Sequence, residues 1–308
     1  SSFDPRSFGS TSAVPTGWAA VGMLSALALF RMPLLMTMSV VGFILLGALG
    51  AWRLSTVFPS NRARIAGMVV YVGTPLVPGV LSQGDWSALL WFATLPWLVH
   101  LARRAAAIGT ADPTADVIDL VDGVGELSIR ERVRAIAFAS LLLSLAAAFA
   151  PVIVVLWGAA GLLVAVATLI AAGSWRVAAW IAATTVVSTA VAASLNAPWS
   201  LDWAWAEMAG ARTQGASGRS VFEAATLQTG NLRFAVLAVG LYVPVLAALA
   251  ISRAWRLTWA VRGAALVLAF GAVLVLADRG ELSLAMPRAS LLAAPIALGL
   301  ALNAAALA

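Results

Sequence analysis

The chain has no cysteine, no lysine and a single histidine, His100, in 308 residues. Without cysteine there are no disulfides, no thiolate metal sites and no cysteine nucleophile. With one histidine, multi-histidine metal sites and a bundled di-iron centre are excluded. All 19 basic residues are arginine, which a GC-rich genome would produce along with the abundant alanine. No phosphate-cradling GxxxxGK[ST], no GxGxxG after a strand and no nucleophile elbow is present. ATP-driven transport by this chain alone is therefore not expected. Charge is scarce as well: 10% of residues are charged, against about 25% in a soluble domain. The start at Ser1 shows neither a basic n-region nor a signal peptide, and the end lies inside an apolar run. The expectation is a fragment of a longer polypeptide.

What is present is apolar side chain, at 62% of residues. One water-soluble core cannot hide that much. Repeated runs near 20 residues predict an all-α, polytopic transmembrane bundle. Leu- and Ala-rich runs without alternation argue against an outer-membrane barrel. Residues 1–33 read as a polar loop followed by a short apolar helix at 17–30. Fourteen residues are too few to span, so this helix is expected at the interface. Spans are expected at 34–52, 65–82 and 86–102, the second broken near Pro75 and Pro78. A polar connection at 103–131 carries Asp112, Asp116, Asp119, Asp122 and Glu126. Three spans follow at 133–149, 151–172 and 175–194, with tight turns at Pro151 and at 173–175. A loop at 195–232 precedes the last three runs, 233–251, 258–277 and 289–308. The total is about nine spans plus one interfacial helix in a single transmembrane domain.

Arginine placement orients the bundle. With residues 53–64 inside, twelve arginines fall on the inner connections and seven on the outer ones. The positive-inside bias selects that orientation. It gives a multi-pass plasma-membrane protein with residues 103–131 cytoplasmic. The first loop, Asp85, the 195–232 loop and the 278–288 loop then share the extracytoplasmic face. The net charge of +6 belongs to these helix ends and does not call for nucleic acid; the lipid bilayer is the expected partner.

The candidate site residues gather on the outer face. Asp85 stands in 79-GVLSQGDWSALLW-91 beside Gln83 and Gly84, just after the proline-broken run. It reads as an N-cap for the next helix and equally as a base at a cavity mouth. Trp199, Trp203 and Trp205 read as an interfacial aromatic belt or as a surface that stacks sugars or headgroups. Arg212 and Arg219 are either solvated or hold a phosphate by paired hydrogen bonds. Asp202 and Glu207 lie within reach of the same surface. Asp4 and Arg6 sit in a first loop rich in turn residues. His100 is expected at a cytoplasmic helix end, as an interface residue. No ligand spacing for a metal is evident, although a divalent ion remains possible.

SSFDPRSFGSTSAVPTGW, RARIAGMVVYVGTPLVPGVLSQGDW and LNAPWSLDW, taken in order, resemble the membrane core of GT-C glycosyltransferases. More narrowly, they look like the multispanning region of large actinobacterial membrane glycosyltransferases, some of them fused to a family-2 glycosyltransferase domain. The likeness covers most of residues 1–235. It implies transfer of a sugar from a polyprenyl-phosphate donor to an envelope glycan on the extracytoplasmic face, with no cofactor evident. The family commonly has a carboxylate in the first outer loop and a second at the outer end of a following helix. Asp85 matches the second. Asp4 is the acidic residue available for the first, but it lies near the end of that loop, so the usual residue is expected upstream of Ser1. Arg6, Gln83, Trp199, Asp202, Trp203, Arg212 and Arg219 would contact the donor or the acceptor. Two other readings stay open, a transporter or flippase for lipid-linked glycans and a non-catalytic scaffold for a fused enzyme. A transporter should carry ionisable residues at mid-span and often inverted repeats; the sequence shows almost none of the former and no convincing repeat.

Overall fold

The computed structural model describes residues 17, 21–23, 26, 31–108, 128–197, 239–278 and 287–308. Among the described residues all regular structure is helical. The helices are α1 (Met32–Leu54), α2 (Asn61–Gly73), α3 (Leu76–Gln83), α4 (Trp86–Ala105), α5 (Ile129–Ala147), α6 (Val152–Ala172), α7 (Trp175–Leu195), α8 (Val243–Ile251), α9 (Ala254–Asp278) and α10 (Ala289–Leu307). In the 17–30 run, residues 17, 21–23 and 26 are helical. Gly17 N–H donates to the Ala148 carbonyl at 2.8 Å, which ties this segment to the α5–α6 turn.

Six stretches are long and apolar enough to cross a membrane: Pro33–Val57, Asn61–Gln83, Val152–Ala172, Trp175–Leu195, Ala254–Ala277 and Ala289–Leu307. Three of the nine expected runs are not among them. α5 opens on Arg130, Glu131, Arg132 and Arg134. α4 carries three tryptophans and ends on Arg103 and Arg104. The 233–251 run is described as a helix only over the nine residues of α8. The membrane-facing surface is visible in the exposed apolar side chains of α1 (Met36, Met38, Val41, Leu45, Leu49) and α6 (Val166, Leu169, Ile170). A patch of this kind is uncommon on a water-soluble monomer and suits contact with lipid chains.

The expected break appears where proline dictates it. α2 ends at Gly73, Thr74 is extended, and Pro75 leads into α3. The turn at Gly173 uses a left-handed φ of +64°, and α7 starts two residues later.

Two helices form the centre. α10 is buried on every side from Leu291 to Ala306, packed among α2, α3, α4, α8 and α9. Its sequence, ASLLAAPIALGLALNAAAL, has no charge and no aromatic ring. A helix that is apolar all round belongs inside, and small side chains let its neighbours approach closely. The tightest approach is to α9. A Cβ on Gly263 would lie 2.8 Å from the Gly299 carbonyl oxygen, so the crossing accepts only glycine there.

α4 is the second central helix, touching α1, α3, α5, α6, α7 and α10. Pro96 lies inside it. Proline has no N–H, so the carbonyl four residues back, that of Phe92, loses its helical donor. The Tyr71 hydroxyl of α2 donates to that carbonyl at 2.7 Å. The Tyr71 ring also stacks on Phe92, with centroids 4.3 Å apart. A neighbouring helix thus satisfies a backbone group that lipid could not. Trp157 of α6 also finds its partner on a neighbouring helix, its Nε1–H donating to the Ser188 side-chain hydroxyl of α7 at 2.8 Å.

His100 is a correction to the sequence reading. It is 5% exposed, and its ring stands edge-on to Trp97 at 6.5 Å. α4 continues for another turn, to Ala105, and its neighbours cover both faces, so His100 is an interior residue.

Candidate functional site

Contacts between the described helices (Asp85 with Arg288, Trp86 with Phe149, Asn196 with Ser144) put Asp85, Ala148, Asn196 and Arg288 at one end of the bundle. Arg53, Arg62, Arg64, Arg103, Arg104, Arg130, Arg132, Arg134, Arg176, Arg253, Arg256 and Arg262 lie toward the other. Contacts between distant segments agree. Arg103 reaches Thr56 at 3.5 Å and Phe58 packs on Trp255 at 5.4 Å at the arginine-rich end. Asn196 donates to the Ser144 carbonyl at 3.1 Å toward the Asp85 end.

Local sequence builds the Asp85 site. Gly84 closes α3 with a left-handed φ of +64°, and Asp85 N–H donates back to the Val80 carbonyl at 3.1 Å. A Gly in this conformation satisfies the last carbonyls of one helix and turns the chain at once. Asp85 then caps α4, its Oδ1 accepting from Ala88 N–H at 3.2 Å. Its other oxygen, Oδ2, accepts from the Ser290 hydroxyl at 2.5 Å, across 205 positions of sequence. The Arg288 guanidinium approaches Oδ1 at 3.7 Å.

Asp85 therefore joins the starts of α4 and α10. Its negative charge faces two helix N-termini, where the backbone dipoles favour an anion, and a cation besides. The carboxylate is 4% exposed and the Arg288 side chain 45%. Each carboxylate oxygen can accept more than one bond, but the cluster offers an incoming ligand mainly its arginine. Trp86 forms the adjoining wall, edge-on to Phe43 at 5.0 Å and to Phe149 at 5.5 Å. Gln83 is exposed on the last turn of α3.

Of the residues expected to form the site, Asp85 and Gln83 thus share one helix junction, between α3 and α4. Asp4, Arg6, Trp199, Trp203, Trp205, Asp202, Glu207, Arg212 and Arg219 lie outside the described residues. Among the described residues no group of three or more His, Asp or Glu could hold a metal. Sequence reasoning missed Arg288 and Ser290 as partners of Asp85. Nothing local signals a contact made across 205 positions.

This arrangement defines an all-helical, multi-pass membrane protein with a paired carboxylate at one end of its bundle. Comparison with known families, curated proteins and solved structures gives no match.

Proposed function

We propose that the chain is the membrane part of a GT-C-like glycosyltransferase, moving a sugar from a polyprenyl-phosphate donor to an envelope glycan. The observation that carries this reading is Asp85 at the junction of α3 and α4, with the half-exposed Arg288 3.7 Å away. A carboxylate and a cation side by side at one end of the bundle match the two charges such a transfer must handle. In this reading the Asp85 end faces outward and the arginine-rich end faces the cytoplasm, which agrees with the arginine count. The spans would number nine, with α2 and α3 sharing one and α4, α5 and the 233–251 run each supplying another.

Arg288 would contact the donor phosphate. Asp85 would take the proton of the acceptor hydroxyl as its oxygen attacks the anomeric carbon. The bond to the lipid phosphate breaks, and the electron pair leaves on the phosphate, where Arg288 meets it. Arg6, Arg212 and Arg219 would serve the same phosphate, Trp199 and Trp203 the sugar, and Asp4 and Asp202 the acceptor. General-base catalysis contributes about 10²–10⁴-fold, far above the effect of a helix cap, about 1 kcal/mol.

The burial of Asp85, with both oxygens already engaged, favours a second reading, a non-catalytic scaffold that anchors a fused enzyme. Asp85→Asn separates the two, because asparagine caps nearly as well as aspartate but is no base. Sugar transfer is measured in membranes holding the full-length parent protein and labelled polyprenyl-phospho-sugars. The proposal expects transfer to fall at least about 100-fold in the variant at equal expression. Unchanged transfer would reduce Asp85 to a structural cap and leave the scaffold.

A further inference from the structure

The positive-inside rule accounts for which end of the bundle carries the arginines. It does not account for which face of a helix they take. On α1, α2, α5 and α7 that face is the one turned away from the protein. Side chains three, four or seven positions apart share one side of a helix. Exposed Leu45 and Leu49 of α1 lead to exposed Arg53. Exposed Arg62 of α2 leads to exposed Ile65 and Val69. Exposed Arg134 of α5 leads to exposed Phe138, Leu141 and Leu145. Arg176 of α7 adjoins exposed Trp175 and stands about three turns before exposed Val187. Each apolar stripe thus ends in an exposed guanidinium at the arginine-rich end.

Two of these guanidinium groups lie against the stripe itself: that of Arg134 is 5.6 Å over Phe138 and that of Arg176 is 5.8 Å over Trp175. A ring face attracts a cation within about 6 Å, which keeps both charges on the apolar surface. Arg53, Arg62, Arg134 and Arg176 have neither an ion pair nor an acceptor for the guanidinium among the described residues. The one described acid at this end, Glu131, is committed to the Ser128 capping box.

Whatever covers such a face must be hydrocarbon along the stripe and anionic at its end. A soluble acidic partner would meet the charge and leave the leucines, Phe138 and Trp175 to water. A zwitterionic lipid meets the stripe, but its headgroup brings a cation beside the phosphate. A phospholipid of net negative charge answers both. We propose that Arg53, Arg62, Arg134 and Arg176 form a collar that selects anionic phospholipids around this end, each guanidinium meeting a headgroup whose acyl chains lie on its stripe. An arginine near an anionic surface contributes about fivefold in affinity. The inference does not rest on the glycosyltransferase reading. Arg104 is its internal control: it is exposed at the same end, but α4 is sheathed by its neighbours and has no exposed apolar stripe.

The test uses the purified protein in vesicles of phosphatidylcholine, with trace spin-labelled phosphatidylglycerol or phosphatidylcholine. Electron paramagnetic resonance separates label held at the protein surface from label free in the bilayer, and so gives the relative affinity of the two lipids. The expected result is a preference for phosphatidylglycerol of about twofold or more, averaged over a shell of which only one end is favoured. Arg53→Gln, Arg62→Gln, Arg134→Gln and Arg176→Gln together should bring the ratio close to one, and Arg104→Gln should leave it as in wild type. Equal affinity for the two lipids in wild-type protein would overturn the inference, whether or not the variants fold. That is also what carboxylates of the 112–126 stretch would give if they occupied these arginines first. A wild-type preference retained in the fourfold variant would overturn it too. So would a loss in Arg104→Gln equal to that in Arg134→Gln, because net charge and not the lipid-facing position would then select the lipid.

Discussion

The two ends of the bundle handle buried charge in opposite ways. At one end a single carboxylate, Asp85, is surrounded by donors: a backbone N–H, a serine hydroxyl and an arginine. At the other end Arg103 and Arg262 are as deeply buried as Asp85, and guanidinium nitrogens of both lack acceptors among the described residues. A charge whose partners come from the same chain is a structural joint. The contrast separates a charge that joins two helix starts from charges that have more donors than the described residues have acceptors for them.

The largest expected effect breaks the first end. Asp85→Ala removes the cap of α4 and strands the Ser290 hydroxyl, with Arg288 left to water. A lost cap costs about 1 kcal/mol, and a hydrogen bond to a charged group about 1.5–3 kcal/mol. The loss in unfolding free energy in detergent should be about 2–4 kcal/mol. Arg103→Met with Arg262→Met should cost under about 1 kcal/mol, or stabilise, because it removes buried charge and keeps apolar volume. If the double variant lost as much as Asp85→Ala, the two ends would be alike and the comparison would fail.

A smaller effect is expected at the centre, where no charge is involved. Tyr71→Phe keeps the stack on Phe92 but withdraws the donor that replaces the missing Pro96 N–H. A buried carbonyl left unsatisfied costs about 1–3 kcal/mol. Adding Pro96→Ala should recover most of it, because the substitution restores a backbone N–H that can serve the Phe92 carbonyl. A double variant no more stable than Tyr71→Phe alone would mean that the hydroxyl, and not the gap left by proline, sets the cost.

How much of this was legible beforehand depends on the range of each interaction. Helices and their breaks follow from local rules, so the apolar runs, the break at Pro75 and the turn at Gly173 could be read directly. The capping role of Asp85 was equally local, since Asp before Trp-Ser-Ala starts a helix. The number of helices apolar enough to cross a membrane was harder to read. α4 is sheathed by protein on both sides and need not be as apolar as lipid, so a run of apolar letters says little about what surrounds it. Ser290 and Arg288 were invisible because their contact with Asp85 depends on the helix order. Arg262 carried a signal that went unused. It stands in TWAVRGAALVLAF, three residues after Trp259 and well inside an apolar run, where an arginine that only marked topology would be out of place. Counting it with the inner connections hid its burial.

The smallest expected effect sharpens the comparison at the arginine-rich end, through the carboxylate described there. Glu131 belongs to a capping box at the start of α5: its Oε2 accepts from Ser128 N–H at 3.1 Å and from the Ser128 hydroxyl at 2.9 Å, while Ser128 Oγ accepts from Glu131 N–H. The group is exposed, so its bonds compete with water, and it is committed to the helix start instead of to Arg103 or Arg262. Glu131→Gln keeps an acceptor in place and should cost only about 0.5 kcal/mol of unfolding free energy in detergent. A loss as large as that of Asp85→Ala would mean that Glu131 acts at a distance as the counter-charge of the buried arginines. A loss that small would leave that end with two buried cations and no described carboxylate assigned to them, the reverse of the end where Asp85 is paired.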